Sequence, residues 1–181
     1  MKECTFDEIQ TPPDVWKHIL KLNPINKEEI FYEPFKGFGT LFNQVETNKK
    51  YWTEITEGKD VFAFDKKEEI TCIYTNPPFK CLISNAKGEK KYKNAVYYFL
   101  NYFVSSYPKL KRLGFLINAK SFISLTPYRL KQLSDKGFNI SNITILNTNY
   151  WYGIYYFVVF EKEQTNKLVK VIEKTFTQKF K

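Results

Sequence analysis

The chain has 181 residues, enough for one domain with a proper core and too few for two comfortable ones. Apolar residues make up 43% and aromatics 18%, and no stretch approaches the roughly 20 apolar residues needed to span a bilayer. The formal charge of +9 favours a polyanionic partner, because phosphate neutralisation dominates nonspecific nucleic-acid affinity. Residues 1–6 include Glu3 and lack an apolar run, so no signal peptide is expected and the protein reads as soluble, intracellular and cytoplasmic. Cys4, Cys72 and Cys81 form no CxxC pair and His18 is the only histidine. Neither a structural zinc site nor a histidine-based metal centre is expected, and the thiols read as buried or idle.

In chain order, Pro12 and Pro13 open a helix carrying Val15, Ile19, Leu20 and Leu22 on one side. A strand over 29–33 ends in a turn over 34–39, followed by a helix over 40–47. A second strand covers 51–55, and a short segment at 60–64 precedes a strand over 70–75 that breaks at Pro77-Pro78. A long helix with an aromatic stripe is predicted over 92–107, a buried strand over 114–118, and a helix over 127–136 stopped by Gly137. Strands over 143–147 and 155–161, joined through 149–153, read as a hairpin. Residues 162–181 are Lys-rich and read equally as a helix or an extended tail. The pattern is that of an α/β fold with a mostly parallel sheet, helices on both faces and an antiparallel C-terminal edge. Residues 1–161 would form the domain and 162–181 a basic tail.

The segment Ile73-Tyr74-Thr75-Asn76-Pro77-Pro78-Phe79 ends a strand with a polar residue, a rigid turn and an aromatic ring. In an open α/β sheet, ligands bind beyond the carboxyl ends of the strands. Upstream, Phe31-Tyr32-Glu33-Pro34-Phe35-Lys36-Gly37-Phe38-Gly39 joins a strand to a turn in which Gly37 and Gly39 let backbone approach a ligand. A nucleotide-phosphate loop would require GxGxxG or GxxxxGK, and neither is present.

Asn76-Pro77-Pro78-Phe79 resembles the Asn/Asp-Pro-Pro-aromatic motif of class I S-adenosylmethionine-dependent amino-methyltransferases. The Phe31–Gly39 segment resembles their strand-turn-helix cofactor loop, and the order of the motifs is similar to that of adenine-specific DNA N6-methyltransferases. The resemblance covers about 11–161 and implies a Rossmann-like, seven-stranded fold with S-adenosylmethionine as cofactor. It implies cofactor contacts from Thr11, Pro12, Glu33, Pro34, Phe35, Gly37, Gly39, Glu54, Asp60, Val61 and Asn76. Glu33 would accept from the cofactor amino group, Glu54 from the ribose hydroxyls (with Glu57 as competitor), and Asp60 from the adenine amino group. Thr11-Pro12-Pro13 resembles the segment that closes over the methionine end.

The chemistry implied for Asn76, Pro77, Pro78 and Phe79 is methyl transfer to an exocyclic amine. Its lone pair is delocalised into the ring, so the Asn76 side-chain oxygen and the Pro77 carbonyl would accept its two N–H bonds and free the lone pair for in-line attack. Phe79 would stack on the base. For substrate contacts, Lys87, Lys90 and Lys91, in a loop over 85–93 read as a substrate-ordered lid, would meet phosphates. Trp151 or Tyr152, from an aromatic cluster that otherwise reads as packing, would sandwich the base. Adenine N6 in nucleic acid, DNA before RNA, is the expected substrate. Protein glutamine N5-methylation and an inactive, nucleic-acid-binding subunit are the alternatives. No target-recognition domain of useful size follows residue 161, which leaves room for a protein partner or a homodimer.

Overall fold

A computed structural model of the chain describes residues 10–84, 90–148, 150, 153–162 and 169–176; along 80–84, 90–94, 148 and 176 the backbone path alone is described. The elements are α1 (Pro13–Leu22), β1 (Ile30–Glu33), β2 (Lys49–Trp52), β3 (Cys72–Thr75), β4 (Lys80–Ser84), β5 (Lys90–Asn94), α2 (Ala95–Ser106), β6 (Arg112–Asn118), α3 (Ala119–Ile123), α4 (Pro127–Ser134), β7 (Phe138–Thr148), β8 (Ile154–Lys162) and β9 (Lys170–Phe176). Seven strands form one sheet in the order β2-β1-β3-β6-β8-β7-β9, with β4 and β5 pairing separately as a hairpin. Within the seven, β8 alone runs against the others.

Alternation along the central strands feeds two cores, as a sheet covered on both faces requires. Tyr32, Ile73, Phe115, Ile117, Val158 and Phe160 pack with Phe99, Phe103 and Tyr107 on the α2 face. Phe31, Cys72, Tyr74, Leu116, Phe157 and Val159 pack with Val15, Trp16 and Ile19 of α1 on the other. Pro13 starts α1 where no intrahelical N–H is needed. Asn23 ends it by donating from both its backbone and its side chain to Ile19 O, at 2.8 and 3.1 Å. Gly114, in the middle of β6, has a packing reason. A Cβ there would lie 2.4 Å from the Phe157 ring and 2.5 Å from the Tyr74 ring, which meet edge-to-face at 5.0 Å.

Several sequence expectations shift. The helix expected over 40–47 is a single 3-10 turn, Phe42–Gln44, which ends where Val45 takes up extended backbone ahead of β2 at Lys49. The second strand ends at Trp52 rather than at 55: Thr53 N donates to Glu33 O and its carbonyl accepts from Lys36 N, so the chain turns across β1. The short segment over 60–64 is a turn, in which Asp60 Oδ1 accepts from Phe62 N at 2.9 Å. The long helix starts at Ala95, since residues 90–94 belong to β5. The terminal strands are longer than expected, with a bulge between Ile140 and Asn142 in β7. Lys170–Phe176 is extended and pairs in parallel with β7 as the sheet edge, so of the two readings of the Lys-rich end the extended one holds for these residues.

Candidate active site

The site is built at the carboxyl ends of β1, β2 and β3, which are neighbours in the sheet. After β1 the chain turns at Pro34, and Gly37 and Gly39 adopt φ of +54° and +77°, left-handed values that cost other residues about 1–2 kcal/mol. One buried hydroxyl braces the turn: Thr53 Oγ1 donates to Pro34 O at 2.8 Å and lies 2.6 Å from the Tyr32 hydroxyl. Glu54 follows and is 6% exposed. Its Oε2 accepts from Gly37 N at 2.7 Å, and its Oε1 accepts from Thr56 N and Oγ1 at 3.2 and 3.0 Å. The expected cofactor loop and the expected ribose carboxylate are therefore joined directly. Glu57, the competitor for that role, is exposed and instead pairs with Lys36 at 2.6 Å.

The N-terminal segment arrives on the same edge. Thr11 is buried, and its Oγ1 accepts from Asn76 Nδ2 at 3.2 Å. Gln10 lies over the glycine loop: its Oε1 accepts from Phe38 N at 3.4 Å and would sit 2.4 Å from a Cβ on Gly37. Pro12 caps the start of α1. Behind Asn76, Pro77 is buried and Pro78 and Phe79 are half-buried. The Phe79 carbonyl accepts from Ala95 N at 3.2 Å, which ties the turn to the start of α2, and its ring lies 6.5 Å from that of Tyr155.

Asp60 and Val61 reach the site region through packing. Val61 is buried, Phe62 stacks on Phe99 at 6.0 Å, and Phe35 meets the same ring edge-on at 4.6 Å. Phe99 thus holds the 60–62 turn against the glycine loop. Lys87, Trp151 and Tyr152 lie outside the described residues. Lys90 and Lys91 fall on β5, where they pair with Ser84 and Ile83, so residues 90–93 form a strand and not the expected loop. Sequence reasoning missed Gln10, Thr53 and Thr56, isolated polar residues with no spacing signal. It also missed Trp52, whose ring carries the ammonium groups of Lys36 and Lys59 at 3.6 and 3.3 Å.

Most buried polar atoms in proteins are hydrogen-bonded, so unmatched ones point to a missing partner. At this edge Glu33 Oε2, Thr75 Oγ1 and Asn76 Oδ1 are buried without a partner among the described residues. Glu33 is 3% exposed, and burial pushes its carboxyl well above the usual range; the Phe42 amide and Lys36 oppose that shift. A site offering two unmatched acceptor oxygens beside a glycine turn and a second carboxylate fits a ligand that carries amino and hydroxyl donors.

No protein-family model and no curated protein matches the sequence. Solved structures do. A candidate class I S-adenosylmethionine-dependent methyltransferase from Listeria monocytogenes matches over 90% of this chain and 62% of its own, with TM-score 0.63 and 14% identity. The modification subunit of a candidate type I restriction enzyme from Vibrio vulnificus matches over 95% and 48%, with TM-score 0.56 and 14% identity. A candidate RNA methyltransferase from Pyrococcus horikoshii matches over 82% and 81%, again with TM-score 0.56 and 14% identity. The chain spans about half to two thirds of the first two and most of the third. At these identities the likeness establishes architecture: the chain has the Rossmann-like fold of class I methyltransferases.

Proposed function

We propose that the chain is an S-adenosylmethionine-dependent methyltransferase that methylates the N6 amino group of adenine in nucleic acid, DNA before RNA. The observation that carries the reading is the unpartnered Asn76 Oδ1 at the end of β3, fixed by the Thr11 contact and adjacent to the glycine loop of β1. The residues fit the cofactor. Glu33 takes its amino group, Glu54 its ribose hydroxyls, and the Asp60–Val61 turn its adenine, while Gly37 and Gly39 leave room for backbone approach. Bound there, the cofactor supplies an electrophilic methyl on a sulfonium.

The chain supplies position. With its Nδ2 committed to Thr11, Asn76 presents its oxygen, not its amide nitrogen, to the substrate. That oxygen and the Pro77 carbonyl accept the two N–H bonds of the target amine, turn its lone pair out of conjugation and offset the positive charge that grows on nitrogen. Phe79 provides the ring on which an unstacked base rests. The charge of +9 and the Lys-rich β4–β5 hairpin beside the Asn76 turn support a polyanionic substrate over a protein one.

The test is transfer of labelled methyl to duplex DNA, single-stranded DNA, structured RNA and a protein extract. The expected product is N6-methyladenine, reduced at least a hundredfold by Asn76→Ala, on the scale of losing a preorganised acceptor. Label on RNA would redirect the substrate class. Label on protein glutamine, or none despite cofactor binding, would overturn the adenine reading.

A further inference from the structure

Glu33 has a peculiarity that the proposed roles leave unexplained. It is 3% exposed at the end of β1, with the Phe42 amide directed at its carboxyl and Oε2 unmatched. The charged groups facing it are Lys36, Lys50 and Glu54. Both lysines are engaged elsewhere. Lys36 Nζ pairs with Glu57 and lies over the Trp52 ring, and Lys50 Nζ donates to Phe42 O and Val45 O at 2.8 and 3.0 Å. Glu54 contributes a like charge from the neighbouring strand end. An ionised carboxylate here would be buried, short of donors and beside another acid, so burial and the second acid favour the neutral carboxylic acid in the free protein.

We infer that cofactor uptake at this site expels one proton, from Glu33 to solvent, and that Glu33 thereby selects ligands carrying a cationic amino group. The inference rests on the proposed cofactor reading. The ligand ammonium keeps its N–H bonds and donates one to Oε2, while the Glu33 O–H bond breaks and its proton leaves to buffer. A ligand with the same adenosine end but no ammonium gives the carboxyl no reason to ionise. Below the carboxyl pKa of the free protein, and above that of the complex, affinity for the amino-bearing ligand rises tenfold per pH unit. Above the free-protein value it levels off.

Calorimetric titration of the full chain tests this, in paired buffers of small and large ionisation enthalpy, from about pH 5 to about pH 8. S-Adenosylhomocysteine carries the amino group and 5′-methylthioadenosine lacks it; equilibrium dialysis measures the binding of both independently. The expected result is close to one proton released with the first ligand, none with the second, and none with either in Glu33→Gln. Comparing two ligands on the unaltered protein keeps the test valid even if the variant folds poorly. Binding of S-adenosylhomocysteine with no proton release anywhere in the range would overturn the inference, as would release that persists in Glu33→Gln. Failure of both ligands to bind would instead remove the methyltransferase reading and this inference with it.

Discussion

Glycine-to-alanine changes at Gly37 and Gly114 meet two different obstacles. At Gly37 the added methyl runs into the far end of the Gln10 side chain, which can swing away, so the remaining cost is the left-handed backbone. That amounts to about 1–2 kcal/mol, with a loss of cofactor affinity as Gln10 and the loop shift. At Gly114 the methyl meets two buried rings that have nowhere to go, and overpacking of this kind costs about 1–3 kcal/mol or more. Urea midpoints should therefore fall for both, while cofactor binding per folded molecule falls only for Gly37→Ala. Glu33 carries a related prediction for the free protein. Its folded carboxyl stays protonated where the unfolded one has ionised, so its contribution to stability is present at low pH and is lost as pH rises through the folded value. Glu33→Gln removes that dependence, and the variant should gain stability relative to the parent as pH rises above the usual carboxylate range. A midpoint difference that stays flat or shrinks with pH would count against a buried neutral acid.

Among the elements, β1, β3 and β6 were legible because apolar runs bounded by breakers are what a doubly covered strand looks like in sequence. The glycine turn and the Asn-Pro-Pro turn were legible as turns for the same reason: each interrupts a strand with residues that strands avoid. Less could be read where local chemistry gave no period. The β4–β5 hairpin and β9 are rich in lysine, which masks their extended character, and β9 is fixed by parallel pairing with β7 across a long sequence gap. Thr53 illustrates the same limit at the site. Nothing in its neighbourhood announces that its hydroxyl spans the Tyr32 phenol and the Pro34 carbonyl, yet that bridge sets the angle at which the glycine turn leaves β1. Thr53→Val keeps the volume and removes the bridge. It should cost about 1–3 kcal/mol, the range for stranding buried polar groups. It should also weaken cofactor binding beyond what the stability loss explains, read as affinity at a temperature where the variant is fully folded.

For the molecule as a whole, the proposed polyanionic substrate has to be met by cations, and the net charge of +9 supplies them. The hairpin of β4 and β5 leaves the Asn76–Phe79 turn directly and returns into α2, so its lysines are carried next to the point where a base would enter. If Lys90 and Lys91 meet phosphates, each contact releases a condensed counterion and steepens the salt dependence of binding by about 0.9 in log–log slope on duplex DNA. Lys90→Gln with Lys91→Gln should then lower that slope by about 1.8 and weaken binding most at low salt. At saturating substrate the turnover should be nearly unchanged, because on the proposed reading these residues would contact the polymer and not the amine. A slope that stays the same while affinity drops would mean that the lysines support the hairpin itself. The polymer would then be held by cations elsewhere on the surface.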